Sequence, residues 1–253
     1  MYRNSLKDKL KNNERIKGCI IQAALPALAE ICGLCGFDFA FIDAEHGPLS
    51  EGDCENLVRA AEVRGIVPII RVPQNIPEVI LRYMDIGAMG IIAPGINCRE
   101  DAEAAVRAVK YHPFGERGLS ATRSSEYGLG KPIAEYVAEA NNETVVLAVI
   151  ESQKAVENIM EILSVEGIDG VLIGTSDLSQ SLGIAGQTNH PKVLEAFNKA
   201  LDLGLKAGKP IGAVVRAGES PEKYFNIGVN IVLISAYSLL ASAAKMFINS
   251  CRK

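Results

Sequence analysis

Directly after the apolar run FAFI, the chain carries Asp43-Ala44-Glu45-His46-Gly47-Pro48, two carboxylates and an imidazole within four positions. An imidazole exchanges protons near neutral pH, and a neighbouring carboxylate tunes it for general-base work. His46 is one of three histidines; the plainer alternative is a loop histidine hydrogen-bonded to Asp43 or Glu45. Arg71 closes a second apolar run, VPIIRVP. A guanidinium there has to reach solvent or an anion, because an unpaired buried charge is too costly. It is either a structural ion-pair partner or a fork for a substrate carboxylate or a developing enolate. Glu151 follows VVLAVI, and Asp177 follows VLIGTS. Each has an ordinary role open to it: Glu151 as dipole partner of the helix it leads into, Asp177 as cap of a short helix from Leu178. Together, two carboxylates at adjacent strand ends suit one hard divalent cation, with positions left for water and substrate. Such an ion is a Lewis acid toward a bound oxygen. His112 and His190 each precede a proline and read as loop or helix-start residues. Asp85, at the end of a helix, reads by itself as a surface carboxylate.

What must position these groups is an alternation of short β-branched runs with longer amphipathic stretches. Strands are predicted at residues 16–22, 37–43, 67–72, 89–93, 145–150, 170–174, 210–215 and 230–235. Most are continuously apolar, as parallel strands covered on both faces should be. Helices are predicted at 50–64, 77–86, 99–110, 153–164, 191–207, 221–227 and 236–248, several with capping signals such as Ser50 and Ser220-Pro221. About eight βα units close most economically as a single (β/α)8 barrel, and 253 residues match the usual ~250. An open doubly wound sheet is the runner-up, but no Gly-rich phosphate turn follows the first strand. In a barrel, His46, Arg71, Glu151 and Asp177 all follow strand C-termini and face one mouth. Residues 111–143, with PFGERGLSATRSSEYG, form a long insertion after the fourth strand, expected to be functional or to lie at an interface.

Composition narrows the rest. The net charge is -4 with no Lys/Arg cluster, there is no Trp, and aromatics make up 6%, so nucleic acid is not an expected partner. Residues 224–244 lack charge over a length that could span a bilayer. Interspersed Asn, Gly and Ser make them a buried strand and a buried helix instead, so no membrane association is expected. The charged N-terminus lacks a signal-peptide pattern, which gives a cytoplasmic expectation with free thiols. Cys32 and Cys35 form a CxxC inside the helix-like ALPALAEICGLCG, without a second pair to complete a zinc site; packing on one helix face is expected.

FDFAFIDAEHGP, PIIRVP, YMDIGAMGIIAPGI, HPFGERG and VIESQKAVENIMEILSVEGIDGVLIGTSDLSQSLG resemble the HpcH/HpaI aldolase family, from about residue 18 to 235. The resemblance implies a single domain over residues 1–253, a TIM barrel of the phosphoenolpyruvate/pyruvate-superfamily type. It implies a metal-dependent class II aldolase, reversibly cleaving a 4-hydroxy-2-oxoacid to pyruvate and an aldehyde through a metal-stabilised enolate. The cofactor implied is a divalent cation (Mg2+, Mn2+ or Co2+) on Glu151 and Asp177. His46 resembles the family's general base. Asp85 would pair with it, and Arg71 would hold the oxoacid and the enolate. Gly174, Thr175, Ser176 and Asp177 would contact substrate, the backbone at Ser176 meeting the pyruvyl carboxylate. A homo-hexamer with exchanged C-terminal helices is implied too. The chain departs from the family at Val149, where many members have Gln, and in Gly174-Thr175-Ser176-Asp177, where Gly-Pro-x-Asp is usual. These leave the substrate open. Related metal-enolate chemistry (a decarboxylase, a CoA-ester lyase or an enolate-trapping synthase) and a catalytically weak oxoacid-binding barrel are the alternatives.

Overall fold

The computed structural model describes residues 3–251. The N-terminal segment folds as α1 (Ser5–Lys11), with the Asn4 side chain accepting the Leu6 and Lys7 backbone N–H groups as an N-cap. Then come β1 (Ile16–Ile21), α2 (Pro26–Leu34), β2 (Phe39–Asp43), α3 (Glu51–Val63), β3 (Val67–Arg71), α4 (Pro77–Asp85), β4 (Gly90–Ala93) and α5 (Arg99–Val109). After a 3-10 segment (Arg123–Gly128), α6 (Ile133–Glu143) and β5 (Val145–Ile150) follow. The last part holds α7 (Gln153–Glu157), α8 (Ile159–Leu163), β6 (Gly170–Ile173), α9 (Thr175–Ser181), α10 (Pro191–Lys206), β7 (Ile211–Val214), α11 (Pro221–Asn226), β8 (Ile231–Ser235) and α12 (Ala236–Ser250).

All eight strands are parallel and close in chain order, β8 pairing back onto β1. The fold is a (β/α)8 TIM barrel. Strand alternation divides the apolar side chains into two layers. Phe39, Phe41, Ile69, Ile92, Leu147, Val149, Leu172 and Leu233 fill the lumen. Ala40, Ile42, Ile70, Ile91, Ala148, Ile173 and Val232 face the surrounding helices. Leu6 and Leu10 of α1 join the lumen cluster, so this helix closes the N-terminal end of the barrel.

Several expectations are corrected. The helix expected at 153–164 is two helices, broken at Asn158, whose side-chain amide donates to the Asn97 carbonyl. The insertion at 111–143 contains α6 and the 3-10 segment, in which Glu126 and Tyr127 both adopt positive φ. Cys32 is buried but Cys35 is exposed, so the two do not pack one face together. α12, expected to be buried, has no buried residue; Leu240, Met246 and Phe247 stand in solvent. Among the described residues no helix is long and apolar enough to cross a membrane.

Candidate active site

β2 and β3 end side by side, and their register sets Asp43 opposite Arg71. Arg71 donates from Nε to Asp43 Oδ1 at 2.8 Å and from Nη2 to Oδ2 at 2.6 Å, a fork-on-fork pair. The Asp43 side chain is 0% exposed and that of Arg71 14%. Gln22, just beyond β1, donates to Asp43 Oδ2 at 2.8 Å, and the Glu45 and His46 backbone N–H groups donate to Oδ1 at 3.2 Å. Burial alone would raise the Asp43 pKa; the hydrogen bonds and charge of Arg71 outweigh it and hold the carboxyl below its ordinary range. Asp43 is therefore a fixed anion that aims Arg71 and shapes the turn carrying His46. Gly47 is required in that turn, because a Cβ there would lie 2.3 Å from the Asp43 carbonyl oxygen.

Glu45 lies between Arg71 and His46, with Oε2 at 3.2 Å from Arg71 Nη1 and 3.8 Å from His46 Nε2. That oxygen is buried and accepts no hydrogen bond. Burial pushes the Glu45 pKa up, and the charge of Glu151 pushes the same way, against Arg71. The His46 side chain is 54% exposed and open to a ligand.

Glu151 follows β5, and its Oε1 accepts the Gly95 backbone N–H at 2.8 Å. Gly95 turns that N–H inward with φ +68°, a conformation that favours glycine. Burial raises the Glu151 pKa and the charge of Asp177 raises it further, while the Gly95 hydrogen bond opposes them. Gly174, not a residue near Leu178, is the N-cap of the helix after β6, so Asp177 sits within the first turn of α9 and points to solvent. Thr175 and Ser176 share that turn. A Cβ on Gly174 would come within 3.2 Å of Glu151 Cβ and 3.5 Å of Val149, which shows how closely β5 and β6 approach here. Val149 is buried among the lumen residues, so the wall beneath Glu151 is apolar.

Asp43, Glu45, Glu151 and Asp177 thus share one mouth with Arg71 and His46. Among the described residues no three His, Cys, Asp or Glu side chains are grouped to hold a metal. The chain offers a pair of oxygen donors, Glu151 and Asp177, and the charge of Asp177 raises the Glu151 pKa. Oxygen-only donors, an uncompensated negative charge and few protein ligands fit a hard, partly hydrated divalent ion.

The structure brings His46, Arg71, Glu151 and the segment from Gly174 to Asp177 to the same end of the barrel. It does not bring Asp85 there. Asp85 ends α4 just before β4 begins, at the opposite end, where it accepts from Arg117 Nη2 at 2.8 Å. The expected His46–Asp85 pair is not made within the protomer, because a helix returning from the mouth delivers its last residue to the closed end. The strand-end pattern passes over Asp43 as anything more than a partner for His46. The signal available was its place opposite Arg71 on the neighbouring strand.

The model of the HpcH/HpaI aldolase/citrate lyase family matches residues 17–241, and the chain belongs to that family. It is 31% identical to the 5-keto-4-deoxy-D-glucarate aldolase of Escherichia coli over its full length and 98% of that protein. Among solved structures, a family protein from Burkholderia cenocepacia superposes with TM-score 0.93 at 29% identity, covering 99% of this chain and 100% of that one. Citrate synthase SbnG superposes with TM-score 0.85 at 31% identity, again over 99% and 100%. The protein is an enzyme of the aldolase and lyase type, acting on carbon–carbon bonds.

Proposed function

We propose that this enzyme reversibly cleaves a 4-hydroxy-2-oxoacid to pyruvate and an aldehyde, with a divalent cation (Mg2+, Mn2+ or Co2+) held by Glu151 and Asp177. The observation that carries the reading is one mouth combining a pinned guanidinium, two mutually repelling carboxylates and a half-exposed imidazole. When bound, the cation supplies Lewis-acid polarisation of the 2-oxo group. Arg71, fixed by Asp43, turns its remaining N–H donors to the oxoacid and stabilises the enolate oxygen as charge develops. His46 takes the proton of the 4-hydroxyl. The C3–C4 electron pair passes to C3 and into the enolate, the aldehyde leaves, and protonation at C3 gives pyruvate. Gly174 to Asp177 border the oxoacid, with the backbone at Ser176 meeting its carboxylate.

A homo-oligomer, a hexamer by family resemblance, belongs to this proposal. α12 lays its apolar residues in solvent within the protomer, and Asp85 can meet His46 only from another copy. Similarity to a citrate synthase over 99% of the chain supports a second reading, in which the same enolate is trapped by an acceptor rather than released.

Assay of pyruvate release from a panel of 4-hydroxy-2-oxoacids, with and without EDTA, tests the proposal. Release from at least one oxoacid, lost in chelator and restored by Mn2+ or Mg2+, is expected. Full activity in chelator would overturn the metal role, and no release from any oxoacid would favour the synthase reading.

A further inference from the structure

A second guanidinium stands at the same mouth. The loops after β1 to β7 comprise residues 22–25, 44–50, 72–76, 94–98, 151–152, 174 and 215–220, while β8 runs straight into α12. Across all of them, and across residues 182–190 after α9, Arg216 is the only lysine or arginine. Its direction follows from β7. Ile211, Ala213 and Val215 lie in the layer between sheet and helices, so Gly212, Val214 and Arg216 follow the lumen side. A Cβ on Gly212 would meet the lumen residue Leu172. Val215 still donates to the Leu233 carbonyl at 2.7 Å, so the extended backbone reaches the residue before Arg216. Val214, last in the strand, is already half exposed at the rim.

The charges of the two arginines are differently committed. Arg71 is ion-paired with Asp43 and Glu45, which leaves only its remaining N–H donors for the oxoacid. Among the described residues Arg216 has no carboxylate at ion-pair distance, and its Nη2 donates only to the Thr188 hydroxyl. The acid in its own loop, Glu219, senses the guanidinium's charge without reaching ion-pair distance: Glu219 Oε2 accepts from the Tyr224 hydroxyl at 2.8 Å and from the Arg216 backbone N–H at 3.3 Å. The lumen wall below, with Phe41, Val149, Leu172 and Leu233, gives no polar contact to a substrate. Discrimination at the far end of the substrate therefore falls to the rim.

We infer that Arg216 is a specificity-determining residue for a carboxylate on the aldehyde half of the substrate, so that the preferred acceptor is an aldehyde acid rather than a neutral aldehyde. This rests on the pyruvate reading above. A guanidinium paired with a hydroxyl can exchange it for a bidentate carboxylate, and its five donors suit that geometry.

The test is aldol addition of pyruvate, with Mn2+ present, to glyoxylate and to glycolaldehyde, acceptors of similar size that differ in charge. The quantity read is the ratio of kcat/KM for glyoxylate to that for glycolaldehyde. A charge-assisted contact predicts that Arg216→Ala lowers the ratio by about 10–100-fold. Arg216→Lys recovers part of it, because a point charge attracts the carboxylate without the fork. A ratio within about twofold of the unmodified protein's in Arg216→Ala would overturn the inference, whatever the loop does to overall activity. Deuterium uptake at C3 of pyruvate without acceptor, in the unmodified protein, separates the two levels. Uptake with an unchanged ratio removes the Arg216 contact alone; no uptake removes the pyruvate reading and this contact with it.

Discussion

The two ends of the barrel bury similar polar chemistry and differ in how much of it is satisfied, the exception at the closed end being Arg117, whose Nε and Nη1 are buried without a hydrogen-bond partner. At the closed end, all three donors of Lys110 Nζ are used, on the carbonyls of Asn141 and Thr144 and on Thr144 Oγ1, each at 2.8 Å. Lys7 donates to the Thr144 carbonyl at 2.7 Å and pairs with Asp169 at 2.9 Å. The Asn4 amide donates to the carbonyls of Met89 and Glu143. At the open end Glu45 Oε2 accepts nothing, Asp177 faces water, His46 is half exposed and Arg216 has only a hydroxyl. Polar groups that saturate one another hold structure. Groups left with unspent capacity are what a substrate and a cation can use, and their strain is carried by the rest of the fold.

The largest effect expected from breaking this division lies at Asp43, a mouth residue that is fully satisfied. Asp43→Asn keeps the shape but removes the charge and presents an amide N–H to Arg71. kcat/KM for pyruvate formation should fall by about 100-fold through lost aim of the guanidinium. Stability should fall by about 3 kcal/mol because a part-buried Arg71 loses its counter-charge. Steady-state kinetics and thermal unfolding check both. At the closed end, Leu6→Ala should cost about 2–5 kcal/mol of stability while changing KM by less than about twofold. A KM change as large as that of Asp43→Asn would dissolve the distinction between the ends.

The smallest effect is one of pH. Burial, with the charge of Lys7 beside it, lowers the Lys110 pKa to about 7. The unfolded chain holds that proton up to the ordinary lysine range, so between pH 7 and about 10 it binds more protons than the folded one. Stability from this group therefore rises with pH across that window and is lost as pH falls toward 7. From pH 7 to 9 the gain should be on the order of 1–2 kcal/mol, and Lys110→Met should flatten it. Denaturant unfolding at both pH values reads the difference in slope; equal slopes would show that the closed end does not hold a strained lysine.

The open end was far more legible in the sequence than the closed one. Strand ends are marked by the halt of apolar runs, so His46, Arg71, Glu151 and Asp177 announce themselves as polar residues where a parallel strand stops. The barrel follows from the same runs. The plug helix α1 did not show itself, because SLKDKLK has only two apolar residues, and its burial depends on a lumen built from all eight strands. The His46–Asp85 pairing is not made within the protomer for a related reason. A motif records which residues occur together, but the direction of α4 decides which end of the barrel receives them. The exposure of α12 was equally hidden, since an apolar helix with the single charge of Lys245 reads the same whether its own barrel or another chain covers it.

On the proposed function, the mouth turns over a pyruvate enolate by means of His46 and a cation held on Glu151 and Asp177. Deuterium uptake at C3 of pyruvate, followed by proton NMR in D2O, tests it without any choice of aldehyde. Uptake should proceed with Mn2+ or Mg2+, stop in EDTA, and fall by at least about 100-fold in His46→Ala while that variant still binds Mn2+. Uptake at the unmodified rate in chelator, or in His46→Ala, would contradict it.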